Sequence, residues 1–192
     1  CSLHLHLLDK TRIPLAQKAL SEGLGVMAIS PADKGGHLQM PSKALTQHCH
    51  PVHPLELAYR FLLAQGITTL TLGASKPEDL KIAKKLVGAI HPLEIHEQNA
   101  INKMLQAEKK SLGEDHCGQC RQCLPCPNEV PIPELLRLRN LLIGHDLQTF
   151  TKERYNLIGK AGHWWEQHNA SHCNACKDCL PRCPNNLPIP QL

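Results

Sequence analysis

Eight of the ten cysteines in this 192-residue chain are gathered into two short blocks. The first is Cys117-x2-Cys120-x2-Cys123-x2-Cys126 and the second is Cys173-x2-Cys176-x2-Cys179-x3-Cys183, each closed by a proline. Ten cysteines in a small secreted chain would suggest a disulfide scaffold. Spacers of two or three residues suit metal ligation in a reducing compartment instead, so the chain reads as cytoplasmic. Two-residue spacing lets successive thiolates curl round one four-iron cube, while the proline directs the fourth thiolate away. Structural zinc sites also use C-x2-C pairs, but they usually part those pairs by a longer knuckle. Four evenly spaced cysteines before a proline favour two [4Fe–4S] centres over two zinc ions. No C-x-x-C-H occurs, which disfavours haem.

The blocks belong to an internal repeat. Cys126-Pro-Asn-Glu-Val-Pro-Ile-Pro133 is echoed by Cys183-Pro-Asn-Asn-Leu-Pro-Ile-Pro190. In two-cluster ferredoxins the fourth cysteine of each block ligates the other block's centre. By that logic one cluster takes Cys117, Cys120, Cys123 and Cys183, and the other takes Cys173, Cys176, Cys179 and Cys126. Block one has one residue fewer before its last cysteine. The stretch between Cys126 and Cys173 is too long for the compact β-rich ferredoxin. It resembles the α-helical ferredoxin arrangement of multi-centre oxidoreductases.

The first half of the chain has a different pattern. Ser2–Leu7 alternates with period two, and short strands are predicted over Gly25–Ile29 and Ile67–Leu72. Helices are predicted over Pro14–Glu22, Pro54–Gln65 and Pro77–Val87, with Pro14 suited to a first turn. Three strand–helix units in a row imply a parallel sheet. A complete (β/α)8 barrel takes roughly 250 residues, so residues 1–91 would be only part of one. From Pro92 onward the signals are helical: Pro92–Leu112, Pro133–Asp146 and Leu147–Gln167. Leu135, Leu138 and Leu142 fall on one helical face, read as a core stripe. The net charge of +4 is too small to argue for nucleic acid. No apolar run reaches the roughly 18 residues of a membrane span. The opening CSLHLHLL lacks a basic n-region and a cleavage site, so it does not read as a signal peptide. Without an initiator Met, the sequence reads as a truncated chain.

The stretches Gly25-Val-Met-Ala-Ile-Ser-Pro-Ala-Asp-Lys-Gly-Gly36 and Leu72-Gly-Ala-Ser-Lys-Pro-Glu-Asp-Leu80 resemble the last strands of the aldo/keto reductase barrel. CRQCLPCPNEVPIPELLRLRN, with His163-Trp164-Trp165 ahead of block two, looks like the tail of iron–sulfur aldo/keto reductases. The resemblance implies an α/β plus all-α chain: the C-terminal strands of a (β/α)8 TIM barrel over residues 1–91, then an α-helical ferredoxin-type domain over 92–192. It implies an NADP(H)-dependent oxidoreductase with two [4Fe–4S] clusters, acting on an unknown small molecule. Nucleotide contacts carry over to Ser30, Pro31, Lys34, Gly35 and Gly36, then to Gly73, Ala74, Ser75 and Lys76. The amides opening the Pro77 helix would form an anion site. The family's catalytic residues lie in the half of the barrel that is not present here. Tyr59 and Tyr155 cannot take the proton-donor role, so no catalytic residue is assigned and the chain alone is not expected to reduce carbonyls.

Two other readings compete with this one: a non-catalytic electron carrier with a redox partner protein, and a zinc-stabilised interaction module. His48, Cys49, His50 and His53 tempt a metal reading, but they sit with two prolines and read as a solvated loop. Trp164 and Trp165 read as a cover over a cluster. His4 and His6 read as core histidines, and Arg137 and Arg139 as a solvated face that an acidic redox partner would fit.

Overall fold

The computed structural model describes residues 1–32, 34–74, 76–160 and 168–192. Two compact units emerge, Cys1–Leu105 and Gln106–Leu192.

The first unit is built on a parallel sheet of order β1-β2-β3, with β1 Ser2–His4, β2 Met27–Ile29 and β3 Thr69–Leu70. Ser2 pairs with Met27, and Met27 pairs with Thr69. Helix α1 (Ile13–Ser21) connects β1 to β2, with proline in its first turn where no amide partner is needed. Two helices, α2 (Lys43–Cys49) and α3 (Pro54–Ala64), connect β2 to β3. After β3 a single 3₁₀ turn, Pro77–Leu80, runs into the short helix α4 (Lys81–Lys85). Leu5, Val26, Ala28, Leu45, Leu57 and Leu62 are fully buried. Burying a side chain of this kind stabilises by about 1.5–3 kcal/mol.

The expectation of TIM-barrel strands is wrong. The sheet is open, its strands are two or three residues long, and no other strand among the described residues could close it. Barrel closure needs strand number, tilt and stagger to match, and three short strands cannot supply that. The period-two pattern also fails early. The chain leaves β1 at His4, and Leu5, His6 and Leu7 are all buried, so alternation of apolar and polar residues no longer means alternation of faces.

Helix α5 (Ile95–Leu112) starts in the first unit for an electrostatic reason. Arg60, buried in α3, donates from Nε to Glu97 Oε1 at 2.6 Å and from Nη2 to Oε2 at 2.9 Å. It also donates to the carbonyls of Ala89, His91 and Pro92. Burial works to raise the Glu97 pKa, but hydrogen bonds and the Arg60 charge prevail and hold it below the usual carboxylate range.

The second unit contains the end of α5, then α6 (Ile132–His145) and α7 (Gln148–Leu157). Asp146, with φ +52°, ends α6 in the left-handed conformation. Near the end of α6, a Cβ on Gly144 would come 2.7 Å from Glu108 Cγ and 3.2 Å from its Cα, so the helices meet there only because Gly144 has no side chain. Glu108 in turn accepts from His145 at 3.1 Å and lies 3.4 Å from His116. Among the described residues no helix is long and apolar enough to cross a membrane.

Candidate metal centre

The two cysteine blocks repeat in backbone conformation as well as in sequence. Gln119 (φ +58°) and Arg121 (φ +64°) flank Cys120, and Ala175 (φ +56°) and Lys177 (φ +70°) flank Cys176 in the same positions. Three residues after each last cysteine the pattern recurs, at Glu129 (φ +54°) and Asn186 (φ +52°). Hydrogen bonds repeat in step: Leu124 N to Arg121 O and Leu180 N to Lys177 O, then Glu129 N to Cys126 O and Asn186 N to Cys183 O. None of these six residues is glycine, so each left-handed position costs about 1 kcal/mol or more. Such alternation turns successive amides toward one side, which makes a concavity suited to an anion.

The thiols fall into two sets, and the sets cross between blocks. Cys117, Cys120, Cys123 and Cys183 line one depression, which encloses about 20 Å³. Cys126, Cys173, Cys176 and Cys179 line part of a hollow of about 600 Å³. A Cβ on Gly118 would lie 3.4 Å from Asn185 Nδ2, so the turn after Cys183 sits directly on the start of block one. Among the described residues, no three His, Cys, Asp or Glu side chains converge as a single ion would require. A four-iron cube makes a different demand, because it spreads its thiolates over four corners.

Cys123 and Cys179 are buried and pack with Val130, Ile132, Leu136 and Leu187. Burial pushes the Cys123 thiol up to about 11, with neighbouring thiols adding to the effect. Cys117 and Cys179 are raised for the same first reason. A metal or cluster bound here would therefore have to displace protons from these sulfurs. Gln119 Nε2 donates to Cys117 Sγ at 3.3 Å.

Sequence reasoning missed Asn140. Buried in α6, it donates from Nδ2 to the Cys117 carbonyl at 2.9 Å and accepts from the Cys117 amide at 3.4 Å. A lone polar residue within a leucine-rich helix was the available signal. The stripe of Leu135, Leu138 and Leu142 walls the 600 Å³ hollow, with Leu142 exposed, so it is not a simple core face. Arg139 is not freely solvated either, since it donates from Nη2 to Asp115 Oδ2 at 3.1 Å.

The residues predicted to touch a nucleotide are placed as follows. Ser30 follows β2 at φ +49°, and its amide donates to Thr71 Oγ1 at 2.9 Å. Pro31, Gly35 and Gly36 are buried, and Lys34 is partly so. A Cβ on Gly35 would lie 2.4 Å from the Pro31 carbonyl and 2.9 Å from His6 Nδ1, so packing alone accounts for that glycine. Gly73 and Ala74 are exposed, and a Cβ on Gly73 would lie 3.8 Å from Gln39 Nε2, which brings the two loops near each other. The Lys76 amide donates to Asp79 Oδ2 at 3.2 Å, so a carboxylate already occupies the anion position expected at Pro77. Ser75, Trp164 and Trp165 lie outside the described residues.

Of the four residues read as a solvated loop, His50 and His53 are exposed, whereas the other two are held in a helix. His48 and Cys49 belong to α2, Cys49 is fully buried with its thiol pushed up to about 12, and His53 caps α3 by accepting from the Leu55 amide. No protein-family model, curated protein or solved structure matches the chain.

Proposed function

We propose that residues 106–192 hold two [4Fe–4S] clusters and carry electrons within an oxidoreductase. One cluster would be held by Cys117, Cys120, Cys123 and Cys183, the other by Cys126, Cys173, Cys176 and Cys179. The observation that carries this reading is the duplicated left-handed backbone around two crossed sets of four thiols. Six strained non-glycine positions need an offsetting gain, and an anionic cluster facing the amides supplies one. A bound cluster provides a one-electron site, whereas the chain ligates it, buries it and donates hydrogen bonds to its sulfurs. Gln119 and the Asn140-braced Cys117 loop serve the first site in that way.

The resemblance to iron–sulfur aldo/keto reductases adds reduced NADP as the electron source and an unknown small molecule as substrate. That part of the proposal stands on the resemblance alone.

The test is anaerobic purification with iron and sulfide analysis, then EPR after dithionite reduction. About eight irons and eight sulfides per chain, with coupled spin-half signals, are expected. Zinc without sulfide or signal would replace the electron-transfer reading with a structural metal module.

A further inference from the structure

The hollow beside Cys126, Cys173, Cys176 and Cys179 has a charge pattern that ligation does not use. Arg139, Lys152, Lys177 and Arg182 line it, and among the described residues no aspartate or glutamate side chain does. Arg139 is engaged by Asp115. Lys152 and Lys177 are exposed, and Arg182 donates from Nε to the Asp178 carbonyl at 2.9 Å. Among the described residues no ion pair neutralises Lys152, Lys177 or Arg182. Glu153 and Asp178 adjoin these cations in sequence but lie outside the lining. Cys173 and Cys176 are exposed on the same side, whereas Cys179 is buried.

We propose that this cationic face docks an acidic electron-transfer protein, bringing the partner's redox group to the Cys173–Cys176 end. The inference rests on the cluster reading above and adds the kind of partner. One electron leaves the reduced centre and reduces the oxidised partner by one, with no bond made or broken. A positive patch facing a negative one speeds encounter by about 10–10³-fold and makes it salt-sensitive. Removing rim charges therefore acts mainly on association.

The experiment uses the full chain with its clusters loaded. Iron and sulfide are counted first, so failure of the cluster reading shows at that step. Binding is then measured by calorimetry against a flavodoxin of strong negative charge and against basic cytochrome c, at about 20 mM and about 500 mM salt. The wild-type chain is expected to prefer flavodoxin, and Lys152→Glu with Arg182→Glu is expected to weaken that binding about tenfold or more at low salt only. Lys152→Gln alone, on α7 rather than within a cysteine block, keeps the test open if the double variant loads poorly, and should weaken binding in the same direction. Unchanged flavodoxin affinity in loaded variants, or preference for cytochrome c, would overturn the proposal. A shifted cluster potential with unchanged binding would do so as well, because the cations would then only offset cluster charge.

Discussion

In Cys1–Leu105 the buried interior is mostly leucine, alanine and valine around one satisfied ion pair; in Gln106–Leu192 the apolar cluster counts Cys123 and Cys179 among its members. The first unit can thus reach its fold by burial and hydrogen bonding alone. The first unit also buries one thiol, Cys49, but the second packs two cysteines of its blocks into one apolar cluster and holds six non-glycine residues at positive φ around them. On the proposed cluster reading a core arranged in this way is completed only by its clusters, and the contrast teaches that the two halves should respond to different insults.

The largest expected effect is loss of metal. Stripping iron with chelator and oxidant should abolish amide protection over residues 117–130 and 173–187 while leaving residues 1–105 protected, because structural metal sites contribute on the order of 10 kcal/mol to folding. Uniform loss of protection in both units would break the comparison. Serine substitutions sharpen it next. Cys183→Ser should remove about four irons and spare the site containing Cys173, and Cys126→Ser should do the reverse. If each variant instead lost the cluster of its own block, the crossed sets would be wrong.

The first unit has its own weak point. Arg60→Leu leaves Glu97 buried without its cation, and thermal unfolding should show a loss of about 3–5 kcal/mol with cluster content unchanged. Gly35→Ala should cost about 1–3 kcal/mol, since the added methyl meets the Pro31 backbone. The smallest effect is pH dependence. Glu97 has a folded pKa below its ordinary 4.5, so its contribution is present above that value and fades as pH falls through the lower one. Unfolding midpoints below about pH 4.5 should therefore drop less in Glu97→Gln than in wild type.

How far the sequence could be read follows from the range of each signal. Local signals carried well. The Pro14 and Pro54 helix starts lie within a residue or two of Ile13 and Pro54, and the left-handed positions around the cysteines recur in both blocks. Helix α2 was missed although Ser42 caps it, accepting from the Leu45 amide at 3.0 Å; the His-Cys-His run at its C-terminal end drew the loop reading. Signals that depend on distant partners did not carry. Period two at residues 2–7 says nothing about where the sheet stops, and β-strand motifs say nothing about whether enough strands exist to close a barrel. Arg60 and Asn140 were invisible because their roles depend on residues more than twenty positions away.

The crossing of the thiol sets also bears on biosynthesis. Cys117, Cys120 and Cys123 leave the ribosome with no fourth partner until α6, α7 and block two have followed, and Cys126 waits for the same residues. If these thiols hold the proposed clusters, neither set can be completed during translation before Cys173–Cys183 emerges. A product that stops short of block two would therefore present half-built sites twice over and expose free thiols to oxidation.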